Sequence, residues 1–462
     1  MWEDAFEDVE IEVRPQNIFS SSLPFLREKT DPIAIFLIIT SGSFIIVIAL
    51  KFKIFHLWAE FLRSTPFLRL STYPLLISAI IIISGIIFRT VLWFRYRPER
   101  LENEEDIDWP YVSVIMPALN EEELVGKAID SIFSSNYPKD KIEVVAINDG
   151  STDMTLYQMM KAKRKYGERV RVINFKENMG KRKALYSGLK VSRGDIVVTV
   201  DTDSKIGRSA IKNLIIPLVK DGSVGAVAGR VAALNEKENL LTRMLSIRYS
   251  ISFDFGRAYQ SVYGTVFVCP GALSAYRKAV LMPFIKEWVN QRFLNTPCLH
   301  GEDRALTTYI LRAGYFTRYQ SNAVVYTRVP SKFLQMNRMY IRWTRSYLRE
   351  SVIFSSFMFS RYRTKHRVLP ILDFAFLNIL HPFHLFSVFL ISYSFLVHPV
   401  FILRHLAFLM IISLFLSLYY LRTNKSAAFL YGIPYALITA FLLWWIVPFS
   451  ALTIKNQSWL TK

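Results

Sequence analysis

A chain of 462 residues, 52 % hydrophobic and 15 % aromatic, with a formal net charge of +20, has room for one soluble domain plus a membrane region. The basic excess suits anionic lipid or an anionic small substrate, and the lack of any recognisable nucleic-acid module excludes nucleic acid as a partner. The two cysteines, Cys269 and Cys298, have no CxxC or Cys/His metal spacing, which fits a reducing, cytosolic location.

Residues 1–30 form an acidic tail (Glu3, Asp4, Glu7, Asp8, Glu10, Glu12) without the basic n-region of a cleavable signal. Two transmembrane helices are expected within 31–95, from the apolar runs 32–50 and 73–88, since a helix needs roughly 20 such residues to cross a bilayer. Lys51, Lys53, Arg63 and Arg69 lie between these runs, and Arg89, Arg95, Arg97 and Arg100 follow the second. Positive charge on both sides leaves the orientation open by the positive-inside rule.

Residues 104–330 alternate strand and helix. Strands are predicted at 112–116, 142–147, 170–175 and 196–200, and helices at 122–134 and 155–166. This alternation implies a mostly parallel sheet covered on both faces, with ligands at the carboxyl ends of its strands. Acidic signatures fall at those ends: Asn120-Glu121, Asp149, and Asp201 with Asp203. The D-x-D of Asp201-Thr202-Asp203 presents alternate carboxylates around one point. These are hard ligands for Mg²⁺ or Mn²⁺, which completes its shell with substrate phosphates; the alternative is a solvated acidic turn. Asp149 can accept hydrogen bonds from a uracil imide or a ribose hydroxyl, or simply make an Asx turn. Lys181, in Gly180-Lys181-Arg182-Lys183, is the cation expected near the nucleotide, against a plain basic helix start. Gly301-Glu302-Asp303 opens an apolar-periodic segment, so Asp303 is either a general base toward an acceptor hydroxyl or a helix cap.

Residues 331–368 are expected to form interfacial amphipathic helices. Phe333, Met336, Tyr340, Trp343 and Tyr347 recur at spacing 3, 4, 3, 4 beside a row of Arg338, Arg342, Arg345 and Arg349, a pattern suited to the bilayer interface. In the sharper reading Arg342 faces a diphosphate and Trp343 stacks on a sugar; the alternative is a lipid-headgroup anchor alone. Apolar runs return at 369–396, 400–421 and 427–452, and His381-Pro382 and Pro434 can each break a crossing. The number of crossings in this 369–452 region stays open, and a tail of 453–462 closes the chain.

The ordered set V-S-V-I-M-P-A-L-N-E-E (112–122), N-D-G-S-T-D (148–153), G-K-R-K-A-L (180–185), D-T-D (201–203), C-P-G-A-L-S-A-Y-R (269–277), G-E-D-R (301–304), R-W-T-R-S-Y-L-R-E (342–350) and W-L-T-K (459–462) resembles processive, membrane-integrated family-2 glycosyltransferases. Hyaluronan synthases and chitin oligosaccharide synthases are the nearest in motif, cellulose synthases more distant. The resemblance implies a GT-A-type α/β domain between transmembrane regions, in a multi-pass plasma-membrane protein with its catalytic domain in the cytosol. It implies an inverting enzyme that extends a β-linked polysaccharide from UDP-GlcNAc, UDP-glucose or UDP-glucuronate, using Mg²⁺ or Mn²⁺. By similarity Asn120, Glu121, Asp149 and Lys181 bind the nucleotide sugar, Asp201 and Asp203 hold the diphosphate, and Asp203 holds the metal. Asp303 is the base, with Glu302, Arg342 and Trp343 completing the catalytic set. Cys269 and Gly271 line the acceptor together with Trp343, while Trp459 and Thr461 belong to a loop closing over the nucleotide.

The chain departs from that pattern at Met339 and Tyr340, where the family's Q-x-x-R-W or Q-Q-x-R-W has glutamine, and it stops at Lys462 without the further membrane helix of longer relatives. If Trp459 gates the site, the C-terminus is cytosolic. Two other functions are open to this sequence: a non-processive transferase acting on a lipid-linked acceptor, and a catalytically silent membrane scaffold that binds sugar.

Overall fold

The computed structural model describes residues 66–103, 107–363, 366–379, 417–424 and 426–456, with scattered residues between 40 and 64 and between 386 and 414. The apolar run 32–50 and the tail residues Trp459 and Thr461 therefore fall mostly or wholly outside the described residues.

A long helix α1 (Pro66–Arg95) leads into the sheet. Strands β1 (Val112–Ala118), β2 (Ile142–Asp149), β3 (Val170–Phe175) and β4 (Ile196–Val200) follow, separated by helices α2 (Val125–Phe133), α3 (Thr155–Tyr166) and α4 (Lys181–Val191). β2 and β4 are buried at every position and β1 at all but one, the signature of strands covered on both faces. α2 buries Val125, Ala128, Ile129, Ile132 and Phe133, the i, i+3, i+4, i+7, i+8 stripe of a helix packed on a core. Fully burying one such side chain stabilises the fold by about 1.5–3 kcal/mol. α4 approaches the sheet closely at Gly188, where a Cβ would stand 2.6 Å from Ile115 Cγ2 and 3.0 Å from Ile147 Cδ1.

Strands β5 (Ser204–Ile206), β6 (Val224–Ala233), β7 (Leu273–Arg277) and β10 (Phe316–Thr327) complete an eight-stranded sheet ordered β3-β2-β1-β4-β7-β6-β10-β5; a separate hairpin joins β8 (Arg292–Phe293) to β9 (Thr296–Pro297). β1 pairs in parallel with β2 on one side and with β4 on the other. The chain order thus reverses at β1, which opens a crevice at the carboxyl ends of these strands. β7 runs antiparallel to both β4 and β6, and β5 antiparallel to β10, so the sheet is mixed.

Helices α5 (Ala210–Lys220), α6 (Leu240–Ser250), α7 (Ala258–Val262) and α8 (Glu302–Arg312) lie around this second half, with a π-helical turn, Ile251–Arg257, joining α6 to α7. Beyond the sheet come α9 (Phe333–Phe357), α10 (Val368–Asn378), α11 (Gly432–Leu442) and α12 (Ile446–Leu452). α1 is tied to α10 by an ion pair of Arg89 with the buried Asp373 at 2.8 Å, and to the domain by Trp93 Nε1 donating to the Asp254 carbonyl at 2.6 Å.

Three expectations change in detail. The helix foreseen at 122–134 starts only at Val125, because the backbone N–H groups of Glu121 and Glu122 donate instead to Thr155 Oγ1 and Asp153 Oδ2. The 427–452 segment is broken, as the sequence allowed, but between Leu442 and Ile446 and not at Pro434: Ala428–Leu442 and Ile446–Leu452 meet at 47°. Counted over the described residues, no single helix is long and apolar enough to cross a membrane, and this bent pair passes the same test only when taken together. Finally, the arginine row of α9 is not one solvent-facing stripe. Arg338 is exposed, but Arg345 and Arg349 are 3 % and 2 % exposed, because α9 packs on α8 and α12 and their guanidinium groups find protein partners there.

Candidate active site

The ends of β1 and β2 are stitched together by polar contacts. Asn120, at a positive φ of 56°, accepts from Thr152 N through Oδ1 at 2.9 Å and donates its own N–H to Ser151 Oγ at 2.9 Å. Glu121 donates its N–H to Thr155 Oγ1 at 2.7 Å. Asp149 ends β2, and its carboxylate accepts from the Met179 and Gly180 N–H groups at 2.8 and 3.0 Å, just ahead of α4. Burial pushes the Asp149 carboxyl above its ordinary value against the pull of those two bonds and of Lys183. Asp149 therefore braces the loop before α4, and each oxygen keeps a second lone pair for a ligand.

Lys181, the first residue of α4, points into the crevice. Its ammonium stands 2.6 Å from Asp201 Oδ1, just past β4, and 3.1 Å from Glu302 Oε1 at the start of α8. The cation expected beside a nucleotide thus makes its contacts here with two carboxylates. Burial alone would lower the Lys181 pKa, but Asp201 and Glu302 outweigh it and raise the net value. Burial likewise acts to raise Glu302, and Lys181 overrides it to hold Glu302 well below the usual carboxylate range. The neighbouring Asp303 goes the other way: burial and the Glu302 charge raise it, against Lys181 and Arg304. Two adjacent carboxyl groups are thus pushed apart in acidity, Glu302 below and Asp303 above the ordinary carboxylate value.

Asp303 Oδ1 accepts from Arg304 N at 2.7 Å and Oδ2 from Gly271 N at 3.2 Å. Gly271 is the floor of the crevice: a Cβ there would meet Lys181 Nζ at 3.1 Å and the Asp201 carboxylate at 3.7 Å. Cys269, expected to line the acceptor, is instead wholly buried. Its N–H donates to Thr307 Oγ1 at 3.0 Å, and burial pushes its thiol up to about 12. Gly271 belongs to the lining of the crevice with Lys181, Asp201, Glu302 and Asp303, whereas Cys269 packs behind it.

Asp203 is half-buried, and Ser204 Oγ and Thr327 Oγ1 donate to its Oδ1 at 3.2 and 3.3 Å. Burial, then the charges of Asp201 and Glu121, push its carboxyl up to about 6. Such crowding of negative charge fits a cation. Among the described residues no three His, Cys, Asp or Glu side chains form a ready-made cage, and the donor set suits Mg²⁺ or Mn²⁺, which takes one or two carboxylates and fills its shell with phosphate and water.

α9 packs against α8, the helix that begins at Glu302. Trp343 is 39 % exposed, with ring centroids 5.8 Å from Tyr340 and 6.1 Å from Tyr249. Arg342 lies close enough to influence both Tyr249 and His300 electrostatically. The join between α9 and α8 is a buried polar network that sequence reasoning missed. Arg349 Nη2 donates to the His300 carbonyl at 2.6 Å, Arg349 Nε pairs with Glu350 at 3.1 Å, and Gln291 Nε2 donates to Glu350 at 3.0 Å. Arg182 donates to Gln291 Oε1 and to the Trp288 carbonyl, while Trp288 Nε1 donates to the Glu302 carbonyl. Gly301, at φ +72°, fits between α8 and α9 where a Cβ would stand 2.9 Å from Arg349 Nη2; here glycine meets both the left-handed backbone and the close approach. The paired Arg349-Glu350 at the end of the R-W stretch is the signal that could have found this network. Lys181, Asp201, Gly271, Glu302 and Asp303 thus line one crevice, while Asn120, Glu121 and Asp149 stand at the ends of β1 and β2, Asp203 lies two residues past Asp201, and Arg342 and Trp343 are on α9.

Residues 113–283 match the glycosyl transferase family 2. A hyaluronan synthase of Streptococcus pyogenes serotype M3 is 30 % identical over 392 residues, covering 83 % of this chain and 90 % of that one. An N-acetylglucosaminyltransferase of Mesorhizobium japonicum is 33 % identical over 246 residues, 53 % of this chain. The match spans 58 % of that rhizobial protein and 61 % of its counterpart from Azorhizobium caulinodans. Among solved structures, a mannosyltransferase from Pyrobaculum calidifontis in complex with GDP-Man and Mn²⁺ superposes with a TM-score of 0.55 at 19 % identity, over 79 % of this chain and 98 % of that one, a likeness of fold.

Proposed function

The chain belongs to the family-2 glycosyltransferases of hyaluronan synthase-like and chitin synthase-like type, and from that premise we propose that it is an inverting, processive β-glycosyltransferase that polymerises sugar from UDP-sugars and passes the product across a membrane. The observation that carries the reading is the convergence of Asp201, from β4, and Glu302-Asp303, from α8, on one crevice over Gly271.

The donor's nucleotide would lie over the ends of β1 and β2, against Asn120, Glu121 and Asp149, with its diphosphate toward Asp201 and Asp203. A divalent Mg²⁺ or Mn²⁺ held by Asp203 would supply charge neutralisation for the departing UDP. Asp303 takes the proton from an acceptor hydroxyl, the freed oxygen attacks the anomeric carbon, and the bond from that carbon to the diphosphate oxygen breaks with inversion. The raised pKa of Asp303 suits it to this base role. Glu302 stays ionised beside Lys181, so the proton goes to Asp303. Trp343 offers an aromatic face to the acceptor sugar, and Arg342 a cation toward the diphosphate.

Insertion in a bilayer is supported by where exposed apolar side chains lie outside the sheet domain: Ile80, Ile83 and Ile87 on α1, Val368 and Leu372 on α10, and Leu442, Trp444, Phe449 and Leu452 at α11 and α12. The second reading, non-processive transfer to a lipid-linked acceptor, draws on one feature, the buried thioether of Met339 where the family pattern has glutamine. Incubating the full chain in lipid nanodiscs with UDP-GlcNAc, UDP-glucose and UDP-glucuronate, singly and in pairs, tests the proposal. UDP release with a high-molecular-weight product supports it, a single-sugar lipid product supports the second reading, and no UDP release from any donor refutes both.

A further inference from the structure

Tyr249 stands on the last turn of α6, whose start is fixed by a capping box in which Asn239 and Thr242 bond each other's backbone N–H at 3.0 Å. Its end runs into the π-helical turn Ile251–Arg257, a distortion frequent at functional sites. The Tyr249 side chain is 9 % exposed, and its hydroxyl meets Met339 Sδ at 3.8 Å. A thioether is a weak acceptor, whereas a buried phenol hydroxyl usually finds an oxygen or nitrogen partner. The ring lies 6.1 Å from Trp343, tilted 53° to it, and stacks on Phe253 at 6.4 Å. The charges of Asp203, Arg248, Arg342 and Arg257 all bear on the hydroxyl. Tyr249 thus lies beside the exposed indole of α9, within electrostatic reach of Asp203, with its donor capacity spent on a weak partner.

We infer that the Tyr249 hydroxyl is a specificity-determining contact to the sugar that stacks beside Trp343, exchanging the Met339 sulfur for a sugar oxygen when the acceptor binds. This inference rests on the transferase reading above. Met339 is 5 % exposed and so supplies a soft, apolar wall against which the hydroxyl can swing. The ligand it recognises is a neutral sugar hydroxyl on the acceptor, not the nucleotide.

The test uses the full chain in nanodiscs with a short β-linked oligosaccharide as added acceptor. Tyr249→Phe should raise the acceptor KM roughly tenfold, the scale of one hydrogen bond lost to a ligand, and shorten the product, with donor KM and UDP-sugar hydrolysis by water unchanged. Met339→Leu, which removes the sulfur and keeps the volume, should leave the acceptor KM as in the wild type. A series of acceptors deoxygenated one position at a time should reveal, in the wild type, one hydroxyl whose loss costs the same factor, and in Tyr249→Phe that penalty should vanish. This series needs only the wild type if the variant does not fold. Wild-type acceptor KM and product length in Tyr249→Phe, or equal affinity for every deoxygenated acceptor, would overturn the contact and leave the transferase reading standing. Absence of any sugar transfer by the wild type would instead defeat the transferase reading itself.

Discussion

The Lys181 ammonium sits 2.6 Å from Asp201 Oδ1 and joins the end of β4 to the start of α8. Through its second contact, 3.1 Å to Glu302, one cation balances carboxylates delivered by β4 and by α8. Replacing it by methionine leaves Glu302, whose side chain is 7 % exposed, with no counter-ion at that contact. Breaking a buried pair costs about 3–5 kcal/mol, and partial exposure of Lys181 and Asp201 brings the expectation nearer about 1–3 kcal/mol. Lys181→Met should therefore lower the thermal unfolding midpoint in detergent and remove turnover; a midpoint equal to the wild type would show that the pair contributes nothing.

Asp303→Asn should retain UDP-sugar affinity while turnover falls by roughly 10²-fold or more, the usual scale for loss of a general base. Near-wild-type turnover would return Asp303 to helix capping, a role asparagine performs as well.

The same substitution separates activity from stability. Because the Asp303 pKa is raised in the folded state, the folded chain binds this proton more tightly than the unfolded chain does. Asp303 therefore costs stability at neutral pH, and that cost is relieved as pH falls through its folded-state pKa. Asp303→Asn should raise the unfolding midpoint at pH 7, with the gain shrinking in acid. Wild-type turnover should decline in acid at a pH above the ordinary aspartate value, as the base becomes protonated. A gain that grows on acidification would contradict the assignment.

Chelation should abolish transfer, with Mn²⁺ or Mg²⁺ restoring it, and Asp203→Ala should make the loss permanent and weaken donor binding. Full activity in excess chelator would rule out the metal role given to Asp203.

Trp343→Ala should shorten or abolish the polymer while leaving metal-dependent UDP binding intact, since the proposed contact of the indole is with the acceptor. An unchanged distribution of product lengths would favour the single-transfer reading.

The strands that carry the acidic signatures were legible because β1, β2 and β4 are buried on both faces and so read as unbroken apolar runs. Their carboxyl ends then located Asn120, Asp149 and Asp201 without tertiary information. β7 was not legible as a strand between β4 and β6: its antiparallel insertion depends on partners 77 residues away, as in Val198 with Ala275. The partners of Lys181 were hidden for the same reason, because nothing local points α4 at Glu302. Arg345 and Arg349 fitted the periodicity of a headgroup stripe, and only the packing of α8 and α12 against α9 shows them turned inward. The burial of Cys269 likewise depends on Thr307, on another element.

α9 is gripped twice along one edge. Arg345 donates to Thr453 Oγ1 at 2.9 Å and to the Asn456 carbonyl at 3.5 Å, just past α12, while Arg349 donates to the His300 carbonyl ahead of α8. The two grips are separated by about 6 Å of helix rise, so they act as a pair of pins that stop α9 from rolling about its own axis. The indole of Trp343 is consequently held at a fixed bearing relative to Asp303, so whatever meets that ring meets a stationary surface and not a swinging one.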